Sequence, residues 1–347
     1  MTLVGGSHAA HGATFGQRGG REVVEEYGRP ERAVSAVRNA VGVIEMGYGV
    51  VVVTGSDRHA AVEEAVTNEV PDADGTGCYA LVLDGGTIDA ELFVYAAGER
   101  LLLFTPPGRA DSVARRLGGD EGDAAVQEAT TEFGVFGVHG PMATEKIASV
   151  LHNAGAPEGA YSFVRGSMGD AGVSVVAGDA PGGEESYEVI CAAADAGEVW
   201  ATLLSRGNGA APFGYRTFET LTLEAGTPLF ESELVGEPPE TVGLTGVAGV
   251  ADDGRGPAHR LVGLRLDAAV DDPLPSAGAT VLGGDGSVGR VTRAAWSPSV
   301  SAPIAFAKVD RGASVRAVQV DGASRSATDV ALPFVEGSDR SGRIPTY

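Results

Sequence analysis

The segment Gly284-Asp285-Gly286-Ser287-Val288-Gly289-Arg290-Val291-Thr292-Arg293 constrains this chain more than any other. Its Gly-x-Gly-x-x-Gly spacing fits the dinucleotide fingerprint. That fingerprint works only between a strand and a helix whose N-terminus meets a pyrophosphate. Here the glycines lead into Val288, Val291 and Thr292, which favour extended backbone, and Gly-Asp-Gly is turn chemistry. The residues therefore predict a hairpin, and no helix opens. Val262, Leu264 and Leu266 alternate upstream and Asp321-Gly322 marks a further turn, so the chain after about Pro257 reads as all-β.

Before that point helices and strands interleave. Pro30 to Val41 predicts a helix, with proline at its first position, Val34, Val37 and Val41 on one face and Gly42 as the stop. Gly49 to Thr54 reads as a strand, Asp57 to Thr67 as a helix, and Tyr79 to Leu83 as a strand that returns through Leu92 to Tyr95. Leu101 to Thr105 ends as a strand at Pro106-Pro107, and the helix from Asp111 to Leu117 stops at Gly118-Gly119. Later strands are expected around Val135–Val138, Val173–Val176 and Tyr187–Ala192, with helices around Ile147–Leu151, Val199–Leu204 and up to Glu224.

The chain carries 47 acidic and 25 basic residues, a net charge of −22, and two lysines, Lys146 and Lys308. Nucleic acid is not expected as a partner of such a surface. An excess of Asp and Glu with little Lys looks like adaptation to high intracellular salt, where ions screen self-repulsion. Cys78 and Cys191 fit neither a metal nor a disulfide spacing and read as reduced thiols, which implies the cytoplasm. No run of 18 apolar residues occurs, so no membrane span is expected. His8 and His11, among Gly5, Gly6 and Gly12, read as part of a solvated, flexible N-terminus without a role.

The Gly284–Arg293 segment, with Trp296-Ser297-Pro298, Ile304-Ala305-Phe306-Ala307 and the closing Leu332-Pro333-Phe334, resembles the C-terminal barrel of glycine-cleavage T-proteins. Further resemblances run through the chain in that family's order. They include Val37-Arg38-Asn39-Ala40-Val41-Gly42, Val53-Thr54-Gly55, Thr67-Asn68, Gly140-Pro141, Tyr161-Ser162-Phe163, Gly183-Glu184, Tyr187-Glu188, Val199-Trp200 and Leu223-Glu224-Ala225-Gly226. Each is weak alone, and their shared order is what carries the resemblance. It implies an α+β protein in which residues 1–234 form a mixed α/β folate-binding region, the T-protein cloverleaf. Residues 235–257 would be a Gly/Pro/Asp/Glu-rich linker, and 258–347 the β-barrel.

The family's activity implies a tetrahydrofolate-dependent aminomethyltransferase or related one-carbon transferase. Reduced folate would be its partner, and docking of a lipoyl-bearing carrier protein is left open. A pterin presents its ring N3 hydrogen and 2-amino group side by side, and a carboxylate can accept both. Glu188 stands at the family's pterin-binding glutamate. The family's Gly-Gly-Ile-x-Asp-Asp-Leu appears as Gly86-Thr87-Ile88-Asp89-Ala90-Glu91-Leu92, so Glu91 takes the place of the catalytic aspartate with one methylene more. A misplacement of roughly 1 Å can cost a catalytic group about a hundredfold. Asp89 reads as a solvated turn residue. Tyr79, Tyr95 and Tyr161 match aromatic pocket positions, equally readable as core residues, and Arg340 lies near a C-terminal arginine of the family.

Several family residues are missing. Gly178-Asp179-Ala180-Pro181-Gly182-Gly183-Glu184 stands where the family has Arg-Thr-Gly-Tyr-Thr-Gly-Glu, Thr217-Phe218-Glu219 replaces Ala-Arg-Asp, and Thr227 replaces a tyrosine. The alternative is a non-catalytic folate-binding accessory protein, like the paralogues of iron-sulfur cluster assembly. Their Lys-Gly-Cys-Tyr-x-Gly-Gln motif does not follow Glu224, and Gly77-Cys78-Tyr79 imitates it only in passing.

The charge generates a direct expectation. Lowering salt from molar to tens of millimolar lengthens the Debye length from about 3 Å to more than 10 Å, so the melting temperature should fall steadily across that range. A melting temperature indifferent to salt would assign the acidic surface another purpose.

Overall fold

The structure, a computed structural model, describes residues 2–118, 122–250, 256–284 and 286–347. The expected helix stop at Gly119, the turn residue Asp285 and part of the expected linker, 251–255, lie outside the described residues. Internal contacts divide the chain into two compact units. The first comprises Met1–Gly85, Asp89–Asp179 and Glu185–Thr217; the second comprises Gly86–Ile88, Ala180–Glu184 and Phe218–Tyr347.

The chain opens with α1 (Gly5–Ala10), the hairpin β1 (Thr14–Arg18) and β2 (Arg21–Glu26), α2 (Pro30–Asn39), β3 (Gly42–Glu45), β4 (Gly49–Thr54) and α3 (Arg58–Glu63). It continues through β5 (Thr76–Asp84), β6 (Thr87–Ala97), β7 (Arg100–Thr105), α4 (Ala110–Leu117), β8 (Ala125–Glu128) and β9 (Phe133–His139). After these come α5 (Ala143–Val150), β10 (Phe163–Met168), β11 (Ala171–Ala177), β12 (Ser186–Ala192), α6 (Ala196–Ser205), β13 (Ala211–Pro212) and α7 (Tyr215–Glu224). The expected helices and strands are there, with α3 shorter than the sequence suggests.

Two sheets organise the first unit, in the orders β5-β6-β7-β4-β8 and β10-β11-β12-β9-β3-β13. Each buries one face under helices. Val51, Val53, Leu92, Val94, Leu101 and Leu103 pack with Val62 of α3 and Val113 of α4. Phe136, Val138, Val175 and Val189 pack with Ile147 of α5 and with Val199 and Trp200 of α6. Each such side chain contributes about 1.5–3 kcal/mol of burial, and the period-two alternation leaves the other face of each strand for other work.

Two expectations are corrected here. The N-terminus is not a solvated tail: α1 buries His8 completely, held by polar partners described below. Asp89 is not a turn residue either, because β6 has already begun at Thr87 and Asp89 faces Arg109 (3.4 Å). The turn before it is closed by Gly85 and Gly86, both at positive φ (56° and 88°), so no further residue is needed to reverse the chain.

The second unit contains β14 (His259–Leu266), β15 (Thr280–Leu282), β16 (Ser287–Ser297), β17 (Ala302–Asp310), β18 (Ala317–Val320) and β19 (Ala323–Val330). Among the described residues they close a barrel in the order β14-β17-β16-β15-β18-β19, since β14 pairs with both β17 and β19. β15 and β16 pair antiparallel, with Val281 opposite Gly289, so the glycine-rich segment is the expected hairpin. A Cβ at Gly289 would lie 2.2 Å from the Lys308 carbonyl oxygen, which is why the position carries no side chain.

Arg293 of β16 is the polar centre of this unit. Its guanidinium donates to the carbonyl of Glu219 (2.8 Å), to Thr222 Oγ1 (2.8 Å) and to the carbonyl of Thr227 (3.0 Å), and pairs with fully buried Glu233 (3.2 Å). Removing one member of a buried pair strands the other charge. Arg293→Met should therefore lower stability to denaturant by about 3–5 kcal/mol. Arg293→Lys should recover only part of it, because an ammonium lacks the planar fork. Urea titration in molar salt measures both, and wild-type stability in Arg293→Met would show that the pair is idle.

Candidate functional site

β6 builds one wall of the site. Ala90, Leu92, Val94 and Ala96 point into the core. The alternation therefore puts Asp89, Glu91, Phe93 and Tyr95 together on the other face. Phe93 is the hub: its ring lies 5.6 Å from Tyr79, 6.0 Å from Tyr48 and 6.2 Å from Tyr161, centroid to centroid. Phe104 of β7 extends the set to Tyr48 (6.2 Å) and Tyr95 (5.7 Å), and Phe163 of β10 meets Tyr95 edge-on (6.1 Å). Such tilted and edge-to-face contacts are the favourable geometry for ring quadrupoles.

Three carboxylates enter this aromatic set, and each accepts a tyrosine hydroxyl. Tyr48 donates to Glu188 Oε1 (2.8 Å), Tyr79 to Glu91 Oε2 (3.1 Å) and Tyr161 to Asp179 Oδ2 (3.3 Å). On β12, Tyr187, Val189 and Cys191 face the core, which turns Glu188 to the opposite side. Across the sheet Glu188 pairs with Gly137 of β9, where a Cβ would lie 2.6 Å from His139 Nε2. The glycine makes room for the imidazole.

Burial pushes the Tyr95 phenol well above its ordinary range, reinforced by the nearby charges of Glu188 and other groups including Asp179. It stays protonated. Burial likewise lowers His139 from the ordinary 6.5 to about 4, against a smaller upward pull from Asp179. Cys78 is half-buried, and desolvation raises its thiol to about 11, so it is not an activated nucleophile.

The structure thus gathers Tyr79, Glu91, Tyr95, Tyr161 and Glu188 around Phe93. Arg340, the remaining expected residue, belongs to the second unit, where its backbone N–H donates to the carbonyl of Gly183 (3.4 Å). Sequence reading missed Tyr48, Asp179 and His139. All three sit at or just beyond strand ends, and a polar residue there was the available signal. Chemically, the arrangement offers flat apolar walls for a ring system and carboxylates for N–H donors.

An α+β unit with buried and part-buried tyrosine–carboxylate pairs, accompanied by a closed β-barrel, is the class that the fold and site define. The sequence matches the GCVT N-terminal domain over residues 5–247 and the glycine cleavage T-protein C-terminal barrel domain over residues 259–336. The chain belongs to the glycine-cleavage T-protein, or aminomethyltransferase, family. It is 32% identical to an aminomethyltransferase of Parafrankia sp., covering 96% of this chain and 97% of that protein. It is 29% identical to a probable aminomethyltransferase of Halobacterium salinarum, covering 95% and 97%. The crystal structure of glycine cleavage system aminomethyltransferase T from Bartonella henselae has the same fold, with TM-score 0.84 at 20% identity over 96% of this chain and 98% of that one. No helix among the described residues is long and apolar enough to cross a membrane.

His139 makes the stability of the fold depend on pH. An imidazole buried neutral binds its proton less readily when folded, so the unfolded chain takes up more protons between pH 6.5 and 4. The stability it contributes is present above 6.5 and lost as pH falls towards 4, about 3 kcal/mol over the window at 1.4 kcal/mol per unit. In melts from pH 7 to 4, His139→Gln should flatten this slope relative to wild type. Parallel slopes would show that His139 takes no part.

Proposed function

We propose that this protein is a tetrahydrofolate-dependent aminomethyltransferase that passes a one-carbon unit to reduced folate within the cytoplasm of a salt-adapted cell. The observation that carries the reading is Glu188. It is a strand carboxylate steadied by Tyr48 and set among aromatic rings, at the position of the family's pterin-binding glutamate. Its lone pairs accept the N3 hydrogen and 2-amino group of the pterin, while Tyr79, Tyr95 and Tyr161 supply the surface against which the ring lies. Glu91, oriented by Tyr79, acts near the folate nitrogens and promotes attack on the donor carbon. Arg340 enters the proposal from the family resemblance alone, as do the lipoyl-bearing carrier and the division into residues 1–234, 235–257 and 258–347.

Calorimetry in molar salt tests the ligand, and turnover tests the chemistry. Tetrahydrofolate should bind, and Glu188→Ala should weaken binding by roughly 1.5–3 kcal/mol. With an aminomethyl-lipoyl donor, ammonia and methylene-tetrahydrofolate should form, and Glu91→Gln should slow this by roughly 10²- to 10⁴-fold while changing folate affinity much less. No folate binding by the wild type would sink the reading. Binding without turnover of any one-carbon donor would favour an accessory role, and an active enzyme indifferent to Glu91→Gln would move the catalytic group elsewhere.

A further inference from the structure

The N-terminal residues 2–27 form a structured brace, and its centre is His8. The ring is fully buried, with Nε2 2.6 Å from Glu45 Oε2 and Nδ1 2.6 Å from the Tyr27 hydroxyl, and it packs T-shaped with the Trp200 ring, centroids 4.7 Å apart. Glu45 accepts the Nε2 hydrogen, which leaves Nδ1 to accept the Tyr27 O–H. Burial, with the Glu45 charge, raises the Tyr27 phenol far above its ordinary value, so it keeps the proton it donates. Glu45 Oε1 in turn accepts the Leu3 N–H (2.7 Å).

Glu45 is the last residue of β3, and the connection Met46-Gly47-Tyr48 follows directly. Its far end is held as well: Arg21 of β2 donates to the Tyr48 carbonyl (2.7 Å). A Cβ at Gly47 would lie 2.8 Å from Val23 Cγ1, so β2 lies flush against the connection. The connection is therefore gripped at Glu45, just before it, and at Tyr48, its last residue, by the N-terminal segment.

We infer that the His8–Glu45–Tyr27 relay, with Arg21, positions Tyr48 and through it the Glu188 carboxylate, making His8 a positioning residue for ligand binding. A hydroxyl on Oε1 fixes the rotation of the carboxylate while leaving it lone pairs for N–H donors. Preorganisation of this kind acts on affinity more than on the chemical step. The inference rests on the reading of Glu188 as the folate-binding carboxylate, and the test separates the two.

The test is a double-mutant cycle on the full chain in molar salt, with thermal melts as the fold control. His8→Leu should weaken tetrahydrofolate binding by about 5- to 10-fold, the worth of one well-placed hydrogen bond. Turnover at saturating folate should stay within about twofold, since the reacting groups are untouched. In a Tyr48→Phe background the same change should cost less than about twofold, because the effect passes through that hydroxyl. Tyr27→Phe, which removes one oxygen, should act in the same direction and decides the matter should His8→Leu fail to fold. A ligand-free readout runs alongside: the ¹³C-tyrosine resonance of Tyr48, identified by its loss in Tyr48→Phe, should shift in Tyr27→Phe and His8→Leu. Wild-type protein that does not bind folate overturns the proposed function, leaving that resonance to judge the brace. An unmoved Tyr48 resonance, wild-type affinity in the folded variants, or an undiminished loss in the Tyr48→Phe background overturns the brace.

Discussion

A carboxylate taken out of water must be met by donors, and the first unit is built around that requirement. Desolvating an anion costs several kcal/mol, and a hydrogen bond to a charged group returns roughly 1.5–3 kcal/mol of it. Glu188, Glu91 and Asp179 each accept a phenol O–H, from Tyr48, Tyr79 and Tyr161. A tyrosine brings its donor on a rigid apolar body, so the same residues that steady the acids also supply the walls. That coupling fits the meeting of Tyr48, Tyr79 and Tyr161 on Phe93.

The fold was largely legible. Period-two alternation and turn chemistry marked β5, β6 and the barrel strands, and Gly284–Gly289 read as a hairpin because β-formers follow the glycines. Of the candidate site, motif register in the sequence marked Glu188 and Glu91, and matching aromatic positions marked the tyrosines that the structure places near them. The site was illegible where partners are joined only by tertiary pairing. Tyr48 meets Glu188 across 140 residues of sequence, and His8 meets Glu45 across 37. A histidine in a glycine-rich start carries no local sign of burial, since composition there favours solvent. Asp89 was misplaced because the turn closes within two glycines, one residue earlier than its surroundings suggest.

Acidity serves two ends in this chain. On the surface it is a bulk property, the net −22 that only dissolved ions offset. Inside, each acid has an address: Glu233 with Arg293, Glu224 with Ser297 and Ser299, Glu45 with His8. The two lysines have addresses as well. Lys308 pairs with Glu237 (2.7 Å), and buried Lys146 donates to the carbonyls of Arg206 and Asn208, with desolvation lowering its pKa. Lysine persists where geometry uses its ammonium, which is how a chain can shed surface lysine without loosening its fold.

Tyr161 has a left-handed backbone, φ 65°, as does Ala180 beside Asp179 at φ 57°. For a bulky residue this conformation costs about 1–3 kcal/mol that glycine or asparagine would not incur. The position is therefore under two opposed pressures. Tyr161→Gly would relax the backbone, but it would also take away the ring that meets Phe93 and the hydroxyl that meets Asp179. The strain and the contacts offset one another in stability, so an unchanged melting temperature after that substitution would say nothing about whether activity had survived it.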